Sequence, residues 1–182
     1  MKIRTFLATL MLAFVAFSSC QSKSNNSVDG TVVDTLSVAV PDNAMPDITI
    51  ERADGTKLLL SSLFGKTLYL DFWATWCPPC CAEIPHLEAL SEQFAGNQDI
   101  RIISVSVDQD RDAWVKKITD DKPSWEQYRI SADDADVFFS AIKLETIPRF
   151  IIVGPDGSIL NADAPRPSDE VCATTLQQAI DQ

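Results

Sequence analysis

This chain is short of cations, of histidine and of long apolar runs, and each shortage argues against a class of function. Fifteen Lys and Arg stand against 26 Asp and Glu, for a formal charge of −11. A surface of that sign repels polyanions and argues against nucleic acid as a partner. The single histidine is His86, which leaves little imidazole for a metal centre. The longest apolar stretch, Phe6 to Phe17, falls short of the roughly 18–20 residues a spanning helix needs, so a permanent transmembrane helix is disfavoured. No internal repeat is visible, and 182 residues suit one domain with its own core, since domains typically take roughly 100–200. The acidic residues are spread out. The one tight group, Asp133, Asp134 and Asp136, reads as a solvated helix start.

What is present at the N-terminus is an address. Lys2 and Arg4 make a basic start, Phe6 to Phe17 an apolar centre and Ser18-Ser19-Cys20 a small-residue end, the pattern of an export signal over residues 1–19. Cys20 after small residues resembles a bacterial lipobox, with Phe17 where Leu is usual and Ser19 where Gly or Ala is usual. The resemblance implies acylation at Cys20 and attachment to the periplasmic side of a membrane; the alternative is plain cleavage nearby and a soluble periplasmic protein. Residues 20–40, which run from Cys20 into Gln21-Ser22-Lys23-Ser24, suit a flexible tether. Export also permits disulfides.

From residue 41 the pattern is that of one α/β domain. Ile48 to Glu51 and Lys57 to Leu60 flank Ala53-Asp54-Gly55 as a hairpin. Thr67 to Trp73 is a buried strand by its compact apolar run. Helical spacing then runs through Leu87, Leu90 and Phe94 to Gly96, with Pro85 inside it predicting a kink or restart. Arg101 to Val107 reads as a strand, Asp110 to Ile118 as a helix carrying Trp114, and Asp133 to Ile142 as another helix. Arg149 to Val153 and Ser158 to Leu160 form a hairpin about Pro155-Asp156-Gly157. Ser168 is expected to cap a last helix reaching Ile180. Strands alternating with helices describe a central mixed sheet flanked by helices, with an added N-terminal hairpin.

The chemistry-bearing run is Trp76-Cys77-Pro78-Pro79-Cys80. Structural zinc needs a second pair of ligands, and Cys81, His86 and the distant Cys172 do not form one, so no metal is assigned. A redox couple fits better. The pair follows a buried strand and opens a helix, where free amides and the helix dipole favour a thiolate. Cys77 is then the N-cap and attacking sulfur, Pro78 takes N1, and Cys80 at N3 reaches back to resolve a mixed disulfide. Trp73 reads as core and Trp76 as a partly exposed platform, although core packing accounts for either. Cys81 has three readings: a third redox thiol, a partner for Cys172, or apolar filler opposite Trp76, the last being favoured.

The stretch Leu70-Asp71-Phe72-Trp73-Ala74-Thr75-Trp76-Cys77-Pro78-Pro79-Cys80 resembles the active-site region of thioredoxins. With Glu83, Pro85, the leading Met45-Pro46-Asp47-Ile48-Thr49 and the turn at Gly65-Lys66, it resembles the TlpA/ResA branch of membrane-tethered oxidoreductases. That resemblance covers most of the chain after Val40. It implies a thioredoxin-like fold and reduction of extracytoplasmic protein disulfides, such as those of apocytochrome c, with electrons from an upstream membrane donor and no cofactor beyond the Cys77–Cys80 pair. It also implies a cis-proline loop at Thr146-Ile147-Pro148, with Ile147, Pro148, Pro78 and Pro79 meeting the substrate beside Trp76. Asp71 matches the buried acid of thioredoxins, and burial should raise its pKa as a proton shuttle for Cys80 requires. Glu83 matches the acid of the TlpA/ResA branch and would tune both thiols; an acid favouring the helix dipole is its plainer role.

Two rivals share the fold. A thiol peroxidase needs Thr and Pro at positions that Ala74 and Leu70 occupy here. A copper-delivery protein needs a downstream His, and His86 sits within the helix. Metabolic labelling tests the address: palmitate is expected on the wild type and absent from Cys20→Ala.

Overall fold

The computed structural model describes residues 43–130 and 135–182. The expected signal over 1–19, Cys20, the tether over 20–40 and the domain start at 41 lie outside the described residues, as do Asp133 and Asp134.

Ala53-Asp54-Gly55 turns the chain between β1 (Thr49–Glu51) and β2 (Lys57–Leu59), an antiparallel pair. A 3-10 turn over Leu60–Leu63 leads to β3 (Thr67–Trp73), α1 (Pro78–Phe94), β4 (Ile100–Ser106), α2 (Arg111–Asp121) and β5 (Glu126–Ile130). Then come α3 (Ala135–Ala141), β6 (Arg149–Val153), β7 (Ile159–Asn161) and α4 (Cys172–Ile180). Among the described residues these strands form one mixed sheet in the order β2-β1-β5-β4-β3-β6-β7. Neighbours β3, β4 and β5 run parallel, and the other pairings are antiparallel.

β3 is buried along its whole length because β4 and β6 cover its edges and helices cover its faces, which is why it reads as a compact apolar run broken only by Asp71. Its alternate side chains divide between two cores. Leu68, Leu70 and Phe72 pack with Leu60, Ile103, Tyr128, Phe138 and Ile151. Tyr69 points the other way and packs with Leu87, Leu90 and Phe94 of α1 and Leu176 of α4. Trp73, on the Tyr69 side, joins Trp114 of α2 in a third cluster at the start of α1. That sheet end is where the chain leaves β3 for the cysteines.

One strand was not expected, and two local expectations are corrected. β5 is absent from the sequence reading because Glu126, Gln127 and Arg129 make it look like loop. Its charges are paired across strands instead, Arg101 with Glu126 at 2.6 Å and Arg129 with Glu51 at 2.8 Å. Pro85 does not restart the helix. α1 is continuous from Pro78 to Phe94, since the exposed ring removes a single hydrogen-bond donor on the outer side of a helix anchored by its buried face. Ser168 does not cap α4, which starts at Cys172 with no side-chain cap; its hydroxyl and N–H are both given to Glu83.

Gly157, in the β6–β7 turn, has φ +85°, and a Cβ there would stand 2.5 Å from the Phe64 ring. Only glycine meets both conditions. Gly157→Ala is expected to lower the unfolding free energy by about 1–3 kcal/mol in a urea titration.

Candidate functional site

Cys77 and Cys80 form a disulfide, S–S 1.98 Å with Cα atoms 5.3 Å apart. Cys77 is the N-cap of α1 and has extended backbone angles. Its sulfur accepts the Cys80 N–H at 3.2 Å, and its carbonyl accepts the Cys81 N–H at 3.0 Å. Pro78 is at N1, where the missing N–H costs no hydrogen bond. A sulfur in that position lies against the positive end of a 17-residue helix, which favours its thiolate once the disulfide is reduced. Cys77 does not stand out as the exposed sulfur in the closed form. It is 4% exposed and Cys80 is 2%, because Trp73, Ala74 and Trp114 enclose both, with Ile84, Val107 and Ile147 at the margin.

Ile147 brings the second loop to the pair. It packs on the cysteine cluster, and the Ile147–Pro148 peptide bond is cis. Trp76, at 65% exposure, and Ile147 face a shared groove of about 490 Å³ with Val107, Phe139 and Leu144 as apolar lining and Gln109 and Glu145 at its rim. Pro78 and Pro79 are exposed on the first turn of α1 and Pro148 is half-buried. His86 is exposed.

Asp71 is buried in β3 between Tyr69 and Trp73, on the face that α1 covers. Burial pushes its carboxyl up to about 7; the Ser104 hydroxyl, donating to Oδ2 at 2.7 Å, pulls against this, and the Glu83 charge adds to the rise. Trp125 Nε1 in turn donates to Ser104 Oγ at 2.7 Å. Beside Asp71 is a cavity of about 30 Å³ that Glu88 and Asp121 border on the outer side, room enough for a water. Two of its lining groups, Trp73 Nε1 and Gln127 Oε1, lack hydrogen-bond partners among the described residues.

Glu83 falls past the first turn of α1 and is buried, so it is not the solvated dipole partner of the plainer reading. Its oxygens accept the Ser168 N–H at 3.0 Å and the Ser168 hydroxyl at 2.9 Å, with Arg166 Nη1 at 3.9 Å. It fastens the segment before α4 to the helix that carries the cysteines.

Cys81 and Cys172 are unpaired among the described residues. Cys81 is half-buried with its thiol directed at the Thr75 carbonyl, 3.8 Å away. Cys172 lies 3.5 Å from the Tyr69 hydroxyl, and burial pushes its thiol up, which keeps it a poor nucleophile.

Sequence reasoning missed a third carboxylate. Asp108 is buried just beyond β4 and accepts the Thr75 N–H, the Thr75 hydroxyl at 2.7 Å and the Ser106 hydroxyl at 2.6 Å. An acid closing the apolar strand run was the available signal, but its partner Thr75 is 33 positions away.

A redox disulfide at the start of a helix, at the end of a central strand of a mixed sheet and beside a cis-proline loop defines a thioredoxin-like protein. The family model described as Redoxin matches residues 40–177, and the chain belongs to that family. The thiol-disulfide oxidoreductase ResA of Oceanobacillus iheyensis is 32% identical over 105 residues, which are 58% of this chain and 52% of the relative. The ResA of Bacillus subtilis is 26% identical over 115 residues, 63% of this chain and 62% of the relative. The chain thus spans between half and two thirds of the length of these curated relatives. A crystal structure of a candidate thiol-disulfide oxidoreductase from Bacteroides vulgatus superimposes with a TM-score of 0.69 at 34% identity, covering 75% of this chain and 94% of the other.

The Asp71 carboxyl gives a pH signature. With a folded pKa near 7 against about 3.9 unfolded, the folded state binds more protons between those values. Stability from this group is therefore full below about pH 4, falls as pH rises toward 7 and levels off above it. Asp71→Asn is expected to abolish that decline, a gain of about 4 kcal/mol over the wild type at pH 8, read from denaturant titrations of the oxidised forms at pH 4 and 8.

Proposed function

We propose that this protein is an extracytoplasmic thiol-disulfide oxidoreductase that reduces protein disulfides. The observation that carries the reading is the capping geometry: Cys77 Sγ accepts the Cys80 N–H at the start of α1, with the partner sulfur bonded to it. In the reduced form the Cys77 thiolate attacks a substrate disulfide, forming a mixed disulfide and expelling one substrate thiolate. Cys80 then loses its proton and attacks Cys77 Sγ, which closes the Cys77–Cys80 bond and expels the second substrate thiolate. Two electrons pass to the substrate, and the expelled thiolates take protons from water. A donor dithiol on the membrane side must then return two electrons to the pair.

Asp71 is the proposed acceptor of the Cys80 proton, because a carboxyl near pKa 7 is part carboxylate and part acid at neutral pH. The small cavity bordered by Glu88 offers that proton a way out. Substrate segments would lie in the groove between Trp76 and Ile147, along the half-buried Pro148 and the exposed Pro78 and Pro79. Apocytochrome c is one candidate substrate, on the resemblance to the TlpA/ResA branch. The export signal and Cys20 support a domain from residue 41 tethered by lipid on the periplasmic face.

Cys80→Ala leaves the first attack possible and the resolution impossible. In cells it is expected to accumulate mixed disulfides through Cys77 that mass spectrometry can name, and the double variant Cys77→Ser, Cys80→Ala to accumulate none. A reduction potential close to the −270 mV of thioredoxin fits a reductant; one near roughly −120 mV would reverse the assigned direction.

A further inference from the structure

The sulfur that caps α1 can do so only if the chain enters the helix at the right place, and a single buried carboxylate, Asp108, accepts hydrogen bonds from the turn that leads into it. Between the end of β3 at Trp73 and the helix start at Pro78 the chain makes a tight turn closed by the Cys77 N–H donating to the Ala74 carbonyl at 3.1 Å. Thr75 is its first corner, and all of its polar groups are held. The N–H donates to Asp108 Oδ2 at 3.0 Å and Oδ1 at 3.2 Å, the hydroxyl to Oδ1 at 2.7 Å, and the carbonyl faces the Cys81 thiol at 3.8 Å.

Asp108 is itself fixed from both ends. Ser106 Oγ donates to Oδ2 at 2.6 Å and accepts the Asp108 N–H at 3.0 Å. The Asp108 carbonyl accepts Arg129 Nη1 at 2.9 Å, and the same guanidinium pairs through Nε with Glu51 at 2.8 Å. Arg111 Nε also pairs with Glu51, at 3.2 Å, while its Nη2 donates to the Ala53 carbonyl in the N-terminal hairpin. Thr75 is thereby connected, through the buried Asp108, Arg129 and Glu51, to the ends of β4 and β5, and through the partly exposed Arg111 to the β1–β2 turn. An exposed loop residue would not need this much buried polar structure, since each buried charge must be fully compensated to be tolerated.

We propose that Asp108 is a positioning residue of the dithiol site: by holding the N–H and hydroxyl of Thr75 it fixes the Ala74–Cys77 turn, places the Cys77 sulfur over the amides of α1, and so sets the reactivity of its thiolate. Asp108 and Thr75 make no hydrogen bond to either sulfur; they act through the backbone they anchor. The inference rests on Cys77 as the attacking sulfur of the proposed oxidoreductase.

The decisive variants keep the charge, because Asp108→Asn would remove an anion as well as an anchor and the two losses shift a nearby thiol in opposite directions. Thr75→Val deletes the hydroxyl at constant shape, Thr75→Ser retains it, and Ser106→Ala frees one side of the Asp108 carboxylate. The full-length reduced protein in detergent is alkylated with iodoacetamide across pH 5–9, and modification of Cys77 is followed by peptide mass spectrometry, with the melting temperature of each oxidised form measured in parallel. Thr75→Val is expected to move the Cys77 profile to higher pH and slow alkylation at pH 7 by about three- to tenfold, the size of one lost buried hydrogen bond. Ser106→Ala should move it the same way by less, and Thr75→Ser should restore most of the wild-type profile. Profiles for Thr75→Val and Ser106→Ala that overlay the wild type while melting temperatures fall would overturn the proposal, leaving a structural anchor only. So would Thr75→Ser behaving like Thr75→Val, since the methyl and not the hydroxyl would then matter. Should Thr75→Val not fold, Ser106→Ala against wild type decides. A wild type that neither reduces a test disulfide nor shows a lowered Cys77 pKa would instead overturn the oxidoreductase reading beneath it.

Discussion

The contact on which the site depends is the acceptance of the Cys80 N–H by the Cys77 sulfur at the first turn of α1. A helix leaves its first amides without internal partners, and a sulfur that takes one of them is in the field of all. Proline at N1 fits because that position needs no donor. The spacing of two residues between the cysteines is therefore mechanical. It is the separation of a cap from the third residue of its helix, which lets one sulfur be activated and the other reach it.

Packing works against that activation and must be balanced by it. Trp73, Trp114 and Ile147 close around the disulfide, which stabilises the oxidised, uncharged form and penalises a thiolate by desolvation. The helix terminus supplies the compensating favour. Around this balance, among the described residues, the fold buries four carboxylates and handles each differently. Glu51 takes two guanidiniums. Glu83 takes both donors of Ser168. Asp108 takes Thr75 and Ser106. Asp71 has the Ser104 hydroxyl alone, so burial wins and its carboxyl holds its proton to about pH 7. Three of the four are fully partnered and hold elements together, and the one left undercompensated is the one suited to exchange a proton.

β3 was legible to the residue because a strand buried on every side is predominantly apolar, with Asp71 as its one ionisable member. β5 was not, since its polar residues are satisfied by Arg101 and Glu51 from other strands, and periodicity contains no trace of such partners. Ser168 was misplaced for a related reason. A serine ahead of acids is a good local cap, but a buried Glu83 85 positions earlier offered a stronger use for its donors.

The sequence alone therefore determined the cysteine pair, its place at a helix start and which sulfur caps that helix, because cap, proline and partner lie within four residues and their geometry is local. It determined the sheet's central strand and the site's exposed tryptophan for the same reason. What only the tertiary structure decided is which distant groups hold that local unit in place: Ile147 against the cysteines, Ser168 on Glu83 and Asp108 under Thr75. Those contacts join residues between 33 and 85 positions apart where both partners are hydrogen-bonded, and a pairing across such distances is fixed by how strands and helices stack, which no window of sequence contains.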